Sequence, residues 1–234
     1  MRVLAIVHQV DAGPGVFADE MAERGVELHE WLLSERGTGP QLEIADYDAV
    51  LTFGGAMHGD QEGRHPWLRF EKDFLAAMID DRMPLLAVCL GSQLLADAAG
   101  GSTRRASEPE IGWRGVEVTE DGKADPVIGP MAPSFETFQW HSYEAVPPEG
   151  AAILARSPVC VQAYRVGDVA WAIQFHAEVT AADAGDWIDD YRSDEDAVRI
   201  GLDPDALRAE TEEKIAESSR MGRELCGRFL DSIG

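Results

Sequence analysis

Residues Pro84 to Leu95 read PLLAVCLGSQLL. LLAVC at 85–89 is a short apolar run rich in branched residues, and after Gly91 the run SQLLADAAG reads as a helix that ends at Gly100 and Gly101, where glycine suits a left-handed cap. A strand that passes directly into a helix is the unit of an α/β fold, and here Cys89 occupies the turn. Such a turn lifts its side chain above the sheet edge and sets it near a helix N-terminus, which favours thiolate. A cysteine in an apolar run is also a small hydrophobe, and that reading stands until the rest of the chain is considered.

Outward from this unit the pattern repeats. RVLAIV at 2–7, VELHEWLL at 26–33 and AVLTF at 49–53 are short, apolar and rich in branched residues, as strands of a buried parallel sheet are. Helices are predicted over Val16–Arg24 and Trp67–Ile79. From about 112 to 175 the character changes to strands and turns: WRGVEV, SFETFQWH, AAILARS, VCVQAYR and DVAWAIQFH, separated by DGK, PPEG and RVGD. The expected architecture is a three-layer, flavodoxin-like or Rossmann-like α/β domain with a mainly parallel central sheet and its site at the carboxyl ends of the strands. Residues 1–180 form that domain in this reading, and 181–234 an acidic helical extension packed on it. Leu207, Thr211, Ile215, Met221, Leu225 and Phe229 give a long helix, opened by Asp203 and Pro204, one apolar stripe. The stripe reads as a face docked on the core; a partner-binding helix is the other reading.

Composition bounds the function. With 234 residues, 45% hydrophobic and 27% charged, the chain is globular and long enough for a sizeable core. No apolar run approaches the roughly 20 residues that cross a bilayer, and the first residues lack the apolar core of a secretory signal, so a cytoplasmic protein is expected. Three scattered cysteines, Cys89, Cys160 and Cys226, make no disulfide framework and no zinc knuckle. Asp and Glu number 43 against 20 Lys and Arg, a net charge of −23, which argues against nucleic acid or an anionic membrane as partner. Only three of the basic residues are lysines, Lys72, Lys123 and Lys214.

Two further segments carry chemistry. In Ala172–Thr180, AIQFHAEVT, His176 and Glu178 end an apolar strand at alternate positions, so both can face one side, and a carboxylate-held histidine is the pair that activates a thiol. His-x-Glu also opens the zinc deaminase signature, but the Pro-Cys-x-x-Cys that completes it is missing, so no metal is assigned. A surface histidine beside a solvated glutamate remains the alternative. In Phe53–Gly59, FGGAMHG, adjacent glycines expose N–H groups as an oxyanion hole requires, though a plain tight turn uses the same residues. No phosphate loop or dinucleotide fingerprint occurs, and no cofactor is expected.

Taken together, VCLGSQLLA around Cys89, the upstream FGGAM, PEIGW at 109–113, WHSYEAVPPEGAAILARS at 140–157 and QFHAE at 174–178 resemble the class I glutamine amidotransferase domain, most closely its free-standing GMP-synthase-like group. The resemblance covers about residues 40 to 180. It implies that Cys89 attacks the amide carbon of glutamine, that His176 moves the proton, and that Glu178 orients His176. It implies further that the N–H groups of Gly55 and Leu90 form the oxyanion hole, and that Gly54, Gln93 and the segment His141, Ser142 and Tyr143 hold the substrate. The family usually has glycine where this chain has Ala87, and commonly aspartate where it has Tyr143. A phenol offers only a neutral acceptor to the substrate's ammonium, so free glutamine is expected to bind weakly unless another carboxylate stands in. Glutamine or another γ-glutamyl amide is the implied substrate, and any ammonia-accepting synthetase is a separate chain. A stand-alone γ-glutamyl hydrolase or peptidase, and a non-catalytic amidotransferase-like binding protein, remain the alternatives.

The acidic, lysine-poor composition self-repels unless counterions screen it. The melting temperature should therefore rise between low and molar potassium chloride; a flat or falling thermal-melt series would remove salt adaptation from this reading.

Overall fold

The computed structural model describes residues 1–33 and 43–233. The start of the stretch that carries the family resemblance, near residue 40, lies outside them. In chain order the first half runs β1 (Arg2–Val7), α1 (Gly15–Glu23), β2 (Glu27–Leu32), β3 (Ala49–Thr52), α2 (Trp67–Asp80), β4 (Leu85–Val88) and α3 (Leu90–Ala98). The second half runs β5 (Ser102–Val118), α4 (Glu120–Ala124), β6 (Ser134–Val146), β7 (Ala152–Arg156), β8 (Val161–Val166), β9 (Ala170–Ile173), α5 (Ala181–Asp189), α6 (Glu195–Arg199) and α7 (Pro204–Asp231).

Among the described residues the strands form one sheet in the order β2-β1-β3-β4-β9-β8-β7-β5-β6. The five strands from β2 to β9 are parallel neighbours, and β8, β7, β5 and β6 extend them in antiparallel fashion. Short turns join β7 to β8 and β8 to β9, and a parallel neighbour would need a long crossover instead. The sheet is thus mixed, with its parallel half in the flavodoxin-like order.

Period-two burial assigns the layers. In β1, Val3, Ala5 and Val7 join one core with α1 and α7, while Leu4 and Ile6 join the opposite core with α2 and α3. β4 divides the same way, Leu86 and Val88 to the first face and Leu85 and Ala87 to the second. Ala87 lies wholly buried between Thr52 and Ala172 of the flanking strands, so its methyl group is core packing.

One strand departs from the sequence pattern. β5 starts at Ser102, ten residues before the expected onset at 112, because STRRASEPEI shows no alternation. Its first part pairs with the end of β6, and a register shift between Arg105 and Glu110 takes up the intervening residues. Pro109 falls in that shift, where its missing N–H leaves no ladder bond unmade.

The C-terminal helix opens as its sequence predicts: the Asp203 side chain accepts from the N–H groups of Asp205 and Ala206, and Pro204 takes the first helical position. Leu225, Cys226, Phe229 and Leu230 enter the first core, and Leu207 packs with Trp113, Phe138 and Ile188 in a third cluster. Gly222 lets α7 lie directly on the chain between His176 and Glu178, since a Cβ there would stand 1.9 Å from the Ala177 carbonyl oxygen. Gly222→Ala should therefore destabilise by about 1–3 kcal/mol, or roughly 2–4 °C in Tm per kcal/mol, as overpacking does. Gly185→Ala in α5, where a Cβ meets nothing within 4 Å, should be neutral or slightly stabilising. Equal melting temperatures for the two variants would contradict this packing.

Candidate active site

Cys89 sits between β4 and α3 with φ +52° and ψ −106°, a conformation that a side-chain-bearing residue adopts only under constraint. Flanking hydrogen bonds supply the constraint: Cys89 N–H donates to Ile173 O at 2.8 Å, and Gly91 N–H to Phe53 O at 3.0 Å. Gly91 is required here, because a Cβ would lie 2.6 Å from the Thr52 carbonyl oxygen. The neighbouring strands β9 and β3 therefore hold the elbow from both sides.

His176 follows the end of β9 and is buried, with its N–H bonded to Phe138 O at 2.9 Å. Its Nδ1 lies 2.7 Å from Glu178 Oε1, and its ring interacts electrostatically with the Cys89 side chain. Burial pulls the imidazole toward its neutral form, but the charges of Glu178 and Cys89 together outweigh burial and raise its pKa to about 10. Trp187 of α5 roofs the ring edge-on at a centroid distance of 4.8 Å and donates its Nε1–H to Asp11 O. Beyond Glu178 the chain is fixed twice: Glu178 O accepts from Val16 N–H at 2.8 Å, and a Thr180–Asp183 capping box starts α5.

The FGG segment lies over the elbow. A Cβ on Gly54 would be 3.1 Å from His176 Cε1 and 3.7 Å from Cys89 Cβ, and one on Gly55 would be 3.2 Å from Leu90 Cδ2. Among the described residues neither the Gly55 nor the Leu90 N–H meets an acceptor within the protein, and Leu90, as the first residue of α3, has none inside the helix.

Gly55, Cys89, Leu90, His176 and Trp187 line a cleft of about 540 Å³ that also includes Gln93, His58, Arg105, His141, Ser142, Tyr143 and Asp196. Gln93 donates to Tyr143 O at 3.2 Å. The Tyr143 ring stacks on His58 at 4.0 Å and lies under the Arg105 guanidinium, which is paired with Asp196 at 2.6 Å. The sequence-predicted residues thus converge, and the C-terminal segment adds Trp187 and Asp196. A larger groove, of about 1390 Å³, runs between α7 and β5 and contains none of the predicted catalytic residues.

The His141 side chain serves a different cluster. Its Nδ1 is 3.0 Å from Tyr143 O, and its Nε2 is 3.3 Å from Glu110 Oε2. Ser157, Gln162 and the Cys160 thiol donate to that Glu110 oxygen. Glu110, His141 and Cys160 could offer a metal ion three atoms within 4.8 Å of one another, but convergent hydrogen bonds already occupy the carboxylate oxygen. Burial and the Glu110 charge push the Cys160 thiol far above its ordinary range, and burial pushes Cys226 up to about 12.

Sequence reasoning passed over His8, Glu71, Trp187 and Asp196. His8 directly follows the apolar run of β1, a position at the carboxyl edge of a parallel sheet, and Glu71 lies on the apolar stripe Leu68, Glu71, Leu75, Met78. Both signals are visible in sequence; Trp187 and Asp196 give none, because only packing brings α5 and α6 to the cleft.

A family model described as glutamine amidotransferase class-I matches residues 16–188, and the chain belongs to that family. It is 31% identical over 169 residues to a protein of Haloquadratum walsbyi named as one of the subunits of glutamine-hydrolyzing GMP synthase, covering 71% of this chain and 83% of that one. It is 26% identical over 184 residues to the glutamine amidotransferase-like protein YfeJ of Salmonella typhimurium, covering 77% of each. The fold is similar to the crystal structure of a glutamine amidotransferase from Thermotoga maritima, with a TM-score of 0.87, 28% identity, and coverage of 99% of this chain and 98% of that one. Among the described residues no helix is long and apolar enough to cross a membrane.

The three cysteines should separate chemically. Near neutral pH, Cys89 should be alkylated by iodoacetamide at least tenfold faster than Cys160 or Cys226, as peptide mass mapping would show; equal rates would mean that Cys89 is not activated.

Proposed function

We propose that this chain hydrolyses the side-chain amide of glutamine or a related γ-glutamyl amide through a thioester on Cys89. The observation that carries the reading is the chain of contacts from Cys89, on its constrained turn, to His176 and on to Glu178 at one end of the cleft. His176 holds the proton given up by the Cys89 thiol, and the thiolate Sγ attacks the amide carbon. The carbonyl oxygen becomes an oxyanion held by the N–H groups of Gly55 and Leu90. As the C–N bond breaks, His176 gives its proton to the departing nitrogen and ammonia leaves. Water, deprotonated by the same imidazole, then attacks the thioester; the C–S bond breaks, glutamate leaves and the thiol is restored. Glu178 keeps the ring oriented and stabilises its charged form. No cofactor enters this scheme.

The named relatives support glutamine as substrate and, as partner, a separate ammonia-consuming synthetase chain. In this reading residues 1–180 form the hydrolase, and 181–234 close its cleft. Tyr143 favours the second reading, a stand-alone hydrolase of other γ-glutamyl amides. Its ring is held between His58 and Arg105, and Asp196, a carboxylate of the same cleft, is already paired with Arg105.

Glutamate release should be measured with glutamine and with several γ-glutamyl amides, with and without cell extract. Cys89→Ala should abolish release while leaving the melting temperature within a few degrees of wild type. Turnover retained in that variant would exclude the mechanism. Turnover that appears only with extract assigns one component of a two-chain amidotransferase, and immediate turnover assigns a stand-alone hydrolase.

A further inference from the structure

Behind the FGG segment lies a second histidine–carboxylate pair that the mechanism above does not use. His8, at the end of β1, and Glu71, in the second turn of α2, are 1% and 0% exposed. His8 Nε2 is 2.7 Å from Glu71 Oε2, and the other Glu71 oxygen accepts from Thr52 Oγ1–H at 2.6 Å. His8 Nδ1 is 3.0 Å from the carbonyl oxygen of Gly54. That oxygen can only accept, so Nδ1 carries the proton whichever way the His8–Glu71 proton lies. The ring also stacks on Trp67 at a centroid distance of 5.2 Å, which leaves it little freedom to turn.

The bonded carbonyl belongs to the Gly54–Gly55 peptide. In a planar trans peptide the C=O and N–H point in opposite directions, so fixing the Gly54 oxygen fixes the direction of the Gly55 N–H. Two glycines in succession otherwise leave this peptide free to rotate. One residue further on, the Ala56 N–H donates to Gln9 Oε1 at 2.7 Å, which pins the segment's exit but not this peptide plane.

We propose that His8, oriented by Glu71, is a positioning residue that holds the Gly54–Gly55 peptide so that the Gly55 N–H faces the oxyanion formed on attack by Cys89. The inference rests on the proposed hydrolase reading and extends it to groups that touch neither substrate nor nucleophile. Burial opposes charge on His8, but Glu71 and the two hydrogen bonds outweigh burial and raise its pKa, which strengthens the bond to the peptide oxygen. Such a bond also polarises the peptide and makes its N–H a better donor.

The test compares the double variant His8→Leu/Glu71→Met, which removes both partners and leaves no unpaired buried charge, with His8→Asn, whose amide can donate from the Nδ1 position. The assays use glutamine and γ-glutamyl p-nitroanilide. In the double variant kcat should fall about 10- to 100-fold with KM within about threefold, since loss of one oxyanion donor costs about 10²–10³ in rate and misaiming it costs less. Alkylation of Cys89 by iodoacetamide, a displacement at carbon that develops no oxyanion, should stay within about twofold of wild type. His8→Asn should recover most of the lost kcat. Unchanged kcat in the double variant, or a parallel loss of kcat and alkylation rate in both variants, would overturn the proposal while wild-type turnover leaves the hydrolase reading standing. A wild-type protein that releases glutamate from neither compound, with or without cell extract, would overturn both.

Discussion

The backbone of Cys89 is the constraint on which the rest depends. A non-glycine residue at φ +52° costs on the order of 1–3 kcal/mol and persists only where its surroundings over-determine it. Here they do so through the neighbouring strands: β9 accepts from the cysteine N–H, β3 accepts from Gly91 two residues later, and Gly91 packs against Thr52 with no room for a side chain. The result is a sulfur lifted out of the sheet plane at the head of α3. No element makes this geometry alone, since the turn needs the strands on each side of β4 to be in register.

The same ordering places the partner residues. His8, Gly54, Cys89 and His176 directly follow, or lie two or three residues beyond, the ends of β1, β3, β4 and β9, the carboxyl edge where ligands bind in open parallel sheets. Behind this edge the helical layer pins the segment bearing His176 and Glu178. Val16 at the start of α1 donates to the Glu178 carbonyl, and α7 lies against Ala177 through Gly222. A buried ion pair is costly to desolvate, and fixed geometry on both sides repays that cost. Trp187 and the β6 strand cover what remains of the imidazole.

The antiparallel half builds the far wall of the cleft. β6 carries His141, Ser142 and Tyr143, and Cys160, Ser157 and Gln162 anchor this wall by hydrogen bonds to one oxygen of the buried Glu110 carboxylate. Two buried histidines therefore have separate tasks: His141 ties strands together, while His176 stands at the cleft. α6 contributes Asp196, which joins Arg105 to the mouth of the cleft.

Much of this was legible in the sequence because it follows from local physics. Short apolar runs rich in branched residues identified the parallel strands, and the Cys-Leu-Gly turn, the His-x-Glu strand end and the paired glycines marked the groups that converge at one edge. Asp203 and Pro204 announced α7. Tertiary structure decided the rest, since it depends on residues far apart in the chain. The strand over 102–111 is held by β6 across a register shift and has no pattern of its own. Asp196 and Trp187 reach the cleft because α5 and α6 pack there, and Glu71 meets His8 because α2 crosses the end of β1. Local sequence determines which groups lie at the end of a strand; only packing of the layers brings separate ends within hydrogen-bond reach, because that distance is set by contacts among residues the chain keeps far apart.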